Sequence, residues 1–507
     1  MVLAIGSKKL NANMKTILSI LLYFNLMYAD IGHYNFTFEG KAFNKTIRAL
    51  VKPPGVVPGI SNITINTLDQ SIDSIKIQPV KWHGKITSYP HLKAGPQGAP
   101  PADLMHKLDG FDNFFVGELW LMDFGAYNIN VELFKGENRE IINLPINSIA
   151  TEIKPMSFQI SLILFCLMLL LLFGATNIIT IAYRESTTPY NQNINSEKIK
   201  KSKLVMLCSF GFLLVILYAG NNWWNDTEIS YRENLYVPME NEVKLITNGE
   251  QNILQIFFTD ELWLGGMIPD LMPDHGKIMH LYLINENYSQ LCHLHPKRNK
   301  ENKDLFEVVL PEIEYGKYYL YMDITLESGF SSTLTNQISY MADNIKQLKY
   351  NNLTSDKDDS YISNFTQYQL QWINQKDNFN ISEDINLTFQ TQTLDGLPSK
   401  IEPYIQMGGH GAILKEDLSV FIHIHPIGTI SMASQELYNQ NDTIENSGIC
   451  YFGVADDSLK TYFKNQNSIV SFPPINLDKP GNYIMWIQAK SEGEIITQKF
   501  NFQIIDS

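Results

Sequence analysis

Two stretches of this chain carry the same spacing of histidines, and that spacing constrains the fold more than any other feature. Residues 273 to 296 read PDHGKIMHLYLINENYSQLCHLHP, and residues 407 to 426 read MGGHGAILKEDLSVFIHIHP. In each, a lone histidine precedes a His-x-His-Pro: His280 before His293 and His295, and His410 before His423 and His425, at intervals of 13 and 15 residues both times. Six of the eleven histidines fall in these triplets. Residues i and i+2 of a strand share a face. His293 and His295 therefore project together, as do His423 and His425, while Cys292, Leu294, Ile422 and Ile424 take the opposite, apolar face.

The interval inside each triplet contains a turn signal, INENYSQ or KEDLS. A hairpin there lays the lone histidine beside the pair, with opposed Cβ atoms about 4.5–5.5 Å apart. Three imidazoles so placed suit zinc or copper, and a methionine sulfur tilts the choice to copper. The expected metal ligands are His280, His293 and His295 at a first site and His410, His423 and His425 at a second, one in each repeat. Met279 and Met432 are candidate sulfur donors, and Asp274 and His275, beside His280, are further candidates in the first copy only. Met272 and Met407 also lie close in sequence. His83, His91 and His106 show no such spacing and read as surface or turn histidines.

The rest of the chain places these hairpins in an organised whole. At 507 residues it exceeds one compact core. A net charge of −14 argues against a nucleic-acid partner, which calls for a basic face. Of four cysteines, Cys166 and Cys208 sit in apolar runs and only Cys292 and Cys450 remain, so no disulfide framework is implied. Residues 14 to 29 have the make-up of a signal peptide, assigned to 1–29. Residues 30–155 alternate in short strands punctuated by Pro and Gly, the pattern of an antiparallel sandwich.

Ile160 to Tyr183 is 24 residues without a charge, and Leu204 to Gly220 is a second apolar run ending near Trp223 and Trp224. Two membrane helices are expected, at 156–183 and 204–221. The loop 184–203 carries Arg184, Lys198, Lys200, Lys201 and Lys203 against Glu185 and Glu197, which marks it as cytoplasmic. The remaining parts, 30–155, 222–343 and 344–507, then lie on the periplasmic or extracellular side of the plasma membrane. Gly125-Ala126-Tyr127, Gly316-Lys317-Tyr318 and Gly481-Asn482-Tyr483 each open an alternating strand, a device of Greek-key sandwiches in which the tyrosine hydroxyl ties down a corner. The fold class expected is mainly β, three antiparallel sandwich modules plus a two-helix transmembrane hairpin.

Residues 225 to 507, through H-x-x-M-H-L…HLHP and GHG…HIHP-x-G-T-I-S-M in family notation, resemble bacterial extracytoplasmic modules described as cupredoxin-like and copper-associated. The first module, through LWLMDFGAYNINVEL, resembles the YtkA-like and FixH-like sandwich family. The resemblance implies copper binding by His280, His293 and His295, and by His410, His423, His425 and Met432. No Cys-x(n)-His-x(n)-Met loop closes either repeat, which argues against a blue-copper role.

The leading expectation is a membrane-anchored copper-binding protein that captures, buffers or delivers copper, with a copper chaperone or a copper-dependent membrane enzyme as partner. A zinc enzyme on the same scaffold is the first alternative. No carboxylate stands at short spacing after either His-x-His and no general base is evident. The second alternative is an assembly subunit of a membrane complex whose metal sites are structural.

Overall fold

The computed structural model describes residues 35–68, 71–82, 99–186, 188–189, 192–248, 251–341, 346–347, 356–362, 366–439 and 468–506. The expected signal peptide, His83, His91, Cys450 and most of the polar insertion after residue 439 lie outside these residues. Two compact units are present: residues 150–236, and a β-rich unit made of the chain before and after them.

The smaller unit is a helical pair. Its first helix, Phe158–Glu185, starts where Ser157 Oγ accepts the Ile160 N–H. The second, Ser196–Glu233, is capped by Asn195, whose side chain accepts the Glu197 N–H. Both are long and apolar enough to cross a membrane. The two stack Phe173 on Phe210 at 6.0 Å between ring centroids. The second helix is longer than the apolar run implied, because no proline interrupts the polar residues on either side of that run before Pro238. Lys198, Lys200, Lys201 and Lys203 therefore lie in its first turns rather than in a loop, and Trp223 and Trp224 lie within it.

The other unit is built from mainly antiparallel sheets. Before residue 149, one sheet runs in the order Phe36–Ala42, Lys45–Lys52, Gly59–Asn66, Phe114–Leu121 and His106–Lys107. A second sheet centres on Ser74–Trp82, Gly125–Lys135 and Asn138–Ser148. Alternate residues such as Ile63, Ile65, Phe115, Ile129 and Val131 fill the core between them.

The first histidine repeat lies in a sheet whose central strand, His280–Asn285, pairs with Leu291–Leu294 on one side and Gly316–Leu326 on the other. In the second repeat His410–Lys415 pairs in the same way with Phe421–Ile424 and Gly481–Ser491. The expected hairpins are present, with Tyr282 opposite His293 and Ala412 opposite His423. The three Gly-x-Tyr strands each begin at the glycine. Each tyrosine ties its corner four residues back: Tyr318 Oη donates to the Glu314 carbonyl at 2.9 Å, Tyr483 Oη to that of Lys479 at 2.8 Å, and Tyr127 Oη accepts the Asp123 N–H at 3.3 Å.

A strand with one face on water alternates buried and exposed residues, but His280–Asn285 and Leu291–Leu294 are buried throughout. One face, with Leu281, Leu283, Cys292 and Leu294, fills the core of its own repeat. The other face meets the second repeat, where Tyr282, Ile284 and Tyr321 pack with Ala412, Leu414, Phe421 and Trp486.

Candidate metal centre

Face-to-face packing brings the two triplets into one place. The sequence suggested a separate site in each repeat, whereas His280, His293 and His295 lie against His410, His423 and His425 in a single buried cluster. His293 and His410 are 5.9 Å apart between ring centroids, His280 and His423 5.3 Å, and His280 and His410 6.2 Å. The histidine face of each sheet is the face that the other repeat covers.

His275 joins them from a tight turn. Asp274 and Lys277 exchange backbone hydrogen bonds across His275 and Gly276, whose φ angles are 50° and 75°. The second repeat makes the same turn between Tyr404 and Met407, with Ile405 and Gln406 at φ 46° and 62°. Each turn stands at the same distance before the lone histidine, so His275 and Ile405 are equivalent positions. The His275 ring lies 5.4 Å from that of His410 and 4.9 Å from that of His425.

Two groups of three present nitrogens that lie within 4.8 Å of one another: His280, His293 and His295, and His275, His410 and His425. The first is the expected triad. The second takes His275 from the first repeat where His423 was expected. His423 stands between them, its ring 4.1 Å from that of His425.

The hydrogen bonds fix which nitrogens are available. His280 Nε2 faces the Asp274 carbonyl at 3.3 Å; a carbonyl only accepts, so Nε2 carries the proton and Nδ1 keeps its lone pair. Gln488 Nε2 donates to Ser360 Oγ and Thr497 Oγ1, which leaves its Oε1 to accept from His293 Nδ1 at 2.8 Å. His293 Nε2 is then a lone pair as well. These two lone pairs point at each other across 3.1 Å. His295 adds a third: its Nδ1 is held by Asp359 Oδ1 at 2.9 Å, and its Nε2 is buried without a hydrogen-bond partner. Three converging acceptors repel one another unless a cation sits among them. Tetrahedral or trigonal nitrogens about 2.0–2.1 Å from one ion lie about 3.3–3.6 Å apart, so the His280–His293 separation of 3.1 Å would have to open slightly to hold such an ion.

A proton shared between His280 and His293 is a poor candidate for that cation. All seven rings are 5% exposed or less. Burial, then the neighbouring imidazoles, holds His280, His293, His410 and His425 well below the ordinary imidazole pKa. Burial lowers His275 too, partly offset by Asp274. Neutral imidazole is the form that binds metal.

On the second side, Asp323 Oδ2 holds His423 Nδ1 at 2.9 Å and leaves Nε2 unpartnered. Both nitrogens of His410 are buried without hydrogen-bond partners, and His425 faces the Ile430 backbone. A carboxylate or amide behind the ring is the usual support of a metal-ligating histidine, since it fixes the tautomer and raises ligand basicity.

The sulfur candidates pack among apolar side chains. Met279 is buried in the core of the first repeat, on the face opposite His280. Met432 is buried with Met407 and Ile427. Cys292 lies in the first repeat's core, where burial pushes its thiol up to about 12. His106 is exposed on a short edge strand. Asp323, Gln488 and Asp359 went unnoticed in the sequence. A signal existed for two of them, because Asp323 and Gln488 each stand seven residues after the glycine of a Gly-x-Tyr strand.

A family model described as a domain of unknown function (DUF8832) matches residues 364–505. No curated protein matches the chain. Among solved structures the chain is similar to dimeric latent PorU from Porphyromonas gingivalis, with 7% identity, 94% of this chain and 34% of that one covered, and a TM-score of 0.14. It is similar also to native Escherichia coli alpha-2-macroglobulin, with 9% identity, 94% and 26% covered, and a TM-score of 0.16. A third is the D1–D4 ectodomain fragment of ICAM-5, with 7% identity, 93% and 82% covered, and a TM-score of 0.14. The chain spans about a third of the first protein and a quarter of the second, and likenesses this distant carry no argument about function.

Proposed function

We propose that this protein is a membrane-anchored, extracytoplasmic copper-binding protein that captures copper and holds it between two β-sandwich modules. A third sandwich lies before the helical pair. The observation that carries the reading is the convergence of His280, His293 and His295, with His280 Nδ1 and His293 Nε2 3.1 Å apart among buried rings. An all-imidazole donor set suits copper and zinc; the resemblance of both His-x-His-Pro stretches to copper-associated modules favours copper. The two apolar helices and the lysines at the start of the second support a two-pass anchor with the β-rich unit outside the cell membrane.

Burial also bears on what the site does with its metal. Rings exposed by 5% or less leave no room beside the ion for a substrate, which favours holding over turnover and slow release over rapid exchange. The test is metal analysis of the full chain purified in detergent after growth with copper and zinc. Copper is expected to co-purify, and a variant carrying His293→Ala and His295→Ala is expected to lose at least one equivalent. Zinc in place of copper, or full copper in that variant, would refute the reading.

A further inference from the structure

Building on the copper reading, we infer that the cluster is one dinuclear centre shared by the two repeats, with His275 carried across from the first repeat to complete the second ion's ligands. Two ions fit because six of the seven rings divide into two groups of three. His280, His293 and His295 converge on one point, and His275, His410 and His425 on another, each set within 4.8 Å. The groups interlock, with His275 and His280 6.0 Å apart between centroids and His293 and His410 5.9 Å apart. No backbone layer separates them. Ions held by rings this close to one another would interact magnetically.

His423 is the donor that belongs to neither group. Asp323 takes its Nδ1, so it offers Nε2 alone, and its ring stands between His280 at 5.3 Å and His425 at 4.1 Å. One free nitrogen completes one of the two ions, so the two are inequivalent. The supports differ as well, with the Asp359 carboxylate behind His295, a neutral amide behind His293 and the Asp323 carboxylate behind His423.

The sharing is encoded at one turn position. If each repeat built its own site, the second would need nothing from the Asp274–Lys277 turn. Instead Ile405 fills the equivalent position in the second repeat, and the imidazole of His275 lies beside His410 and His425. Packing of the two repeats is therefore a condition for the second ion.

The experiment loads the full chain in detergent with Cu(II) in air, measures copper per chain, and records its electron paramagnetic resonance spectrum. Two coppers are expected, with integrated spin well below two or with a half-field transition. His275→Ile, which installs the residue the other repeat already holds at this backbone conformation, should bind one copper with an ordinary mononuclear spectrum. His280→Ala should likewise retain one, with circular dichroism confirming that both variants fold. One copper in the unmodified chain, or two with independent full-intensity spectra, would overturn the dinuclear centre while leaving the copper reading intact. No copper at all would overturn the copper reading and the dinuclear centre with it.

Discussion

Asp323 and Gln488 occupy the same position in the two repeats, and each supports a histidine of the other repeat. Asp323 lies directly across from His280 in its own sheet, and Gln488 directly across from His410. Yet Asp323 reaches His423 at 2.9 Å and Gln488 reaches His293 at 2.8 Å. The exchange is reciprocal and locks the two sheets together through the candidate ligands themselves.

Removing either support frees a ring to rotate and to take the wrong tautomer. Asp323→Leu and Gln488→Leu should each lower copper affinity by about 10–100-fold in a chelator competition. Asp323→Asn keeps an acceptor oxygen and should lose less. Equal losses for Asn and Leu at this position would show that Asp323 acts by packing alone.

The aromatic contact between repeats should matter to metal binding as well as to stability. Phe421 is buried, and its ring stacks on that of Tyr321 at 4.2 Å and 6°. Phe421→Ala should cost about 3–5 kcal/mol in chemical unfolding and weaken copper retention. Phe389→Ala, in the second repeat's own core, should cost a similar amount with a smaller effect on copper. If both variants bind copper equally, the facing surfaces do not shape the site.

Acid should destabilise the metal-free protein steeply. The pKa values of His275, His280, His293, His410 and His425 are lowered in the folded state. Below about pH 6.5 the unfolded chain therefore binds protons that the folded chain refuses, and stability falls as pH falls. Each such ring contributes up to about 1.4 kcal/mol per pH unit in that range. Unfolding temperature of the metal-free protein should hold from pH 8 to 7 and drop steeply toward pH 5. His280→Phe, which cannot take up a proton, should show a shallower drop. A profile as steep as that of the unmodified protein would contradict the assignment for this ring.

Gly428 couples the first sheet to the second repeat. Its N–H and C=O exchange bonds with His425 at 2.8 and 2.7 Å, and flanking it Glu39 N–H reaches the Ile427 carbonyl at 2.8 Å and Thr429 N–H that of Thr37 at 3.0 Å. Its φ of 123° and the Thr37 carbonyl, which a Cβ would strike, reserve the position for glycine. Gly428→Ala should cost at least about 1–3 kcal/mol and raise hydrogen exchange in the Phe36–Ala42 strand. Unchanged exchange there would mean that this strand does not depend on the loop.

What could be read from the sequence was local. Identical intervals and strand alternation place His293 with His295 and His423 with His425, put Cys292 in the core, and predict both hairpins. The apolar runs mark the two helices, though only the core of the second. The meeting of the repeats was not legible, because it depends on which face of each sheet another element covers, and alternation is silent about that. His275 could be named only as a neighbour of His280. Its approach to His410 and His425, more than a hundred residues later in the chain, follows from the turn at Asp274 and the packing of two sheets.

The most direct test is an anomalous difference map from crystals of the full chain grown with copper, collected on both sides of the copper absorption edge. Copper peaks are expected among His280, His293 and His295 and beside His275, His410 and His425. A cluster without anomalous density, in crystals whose protein carries copper elsewhere, would contradict the claim that these imidazoles are its ligands.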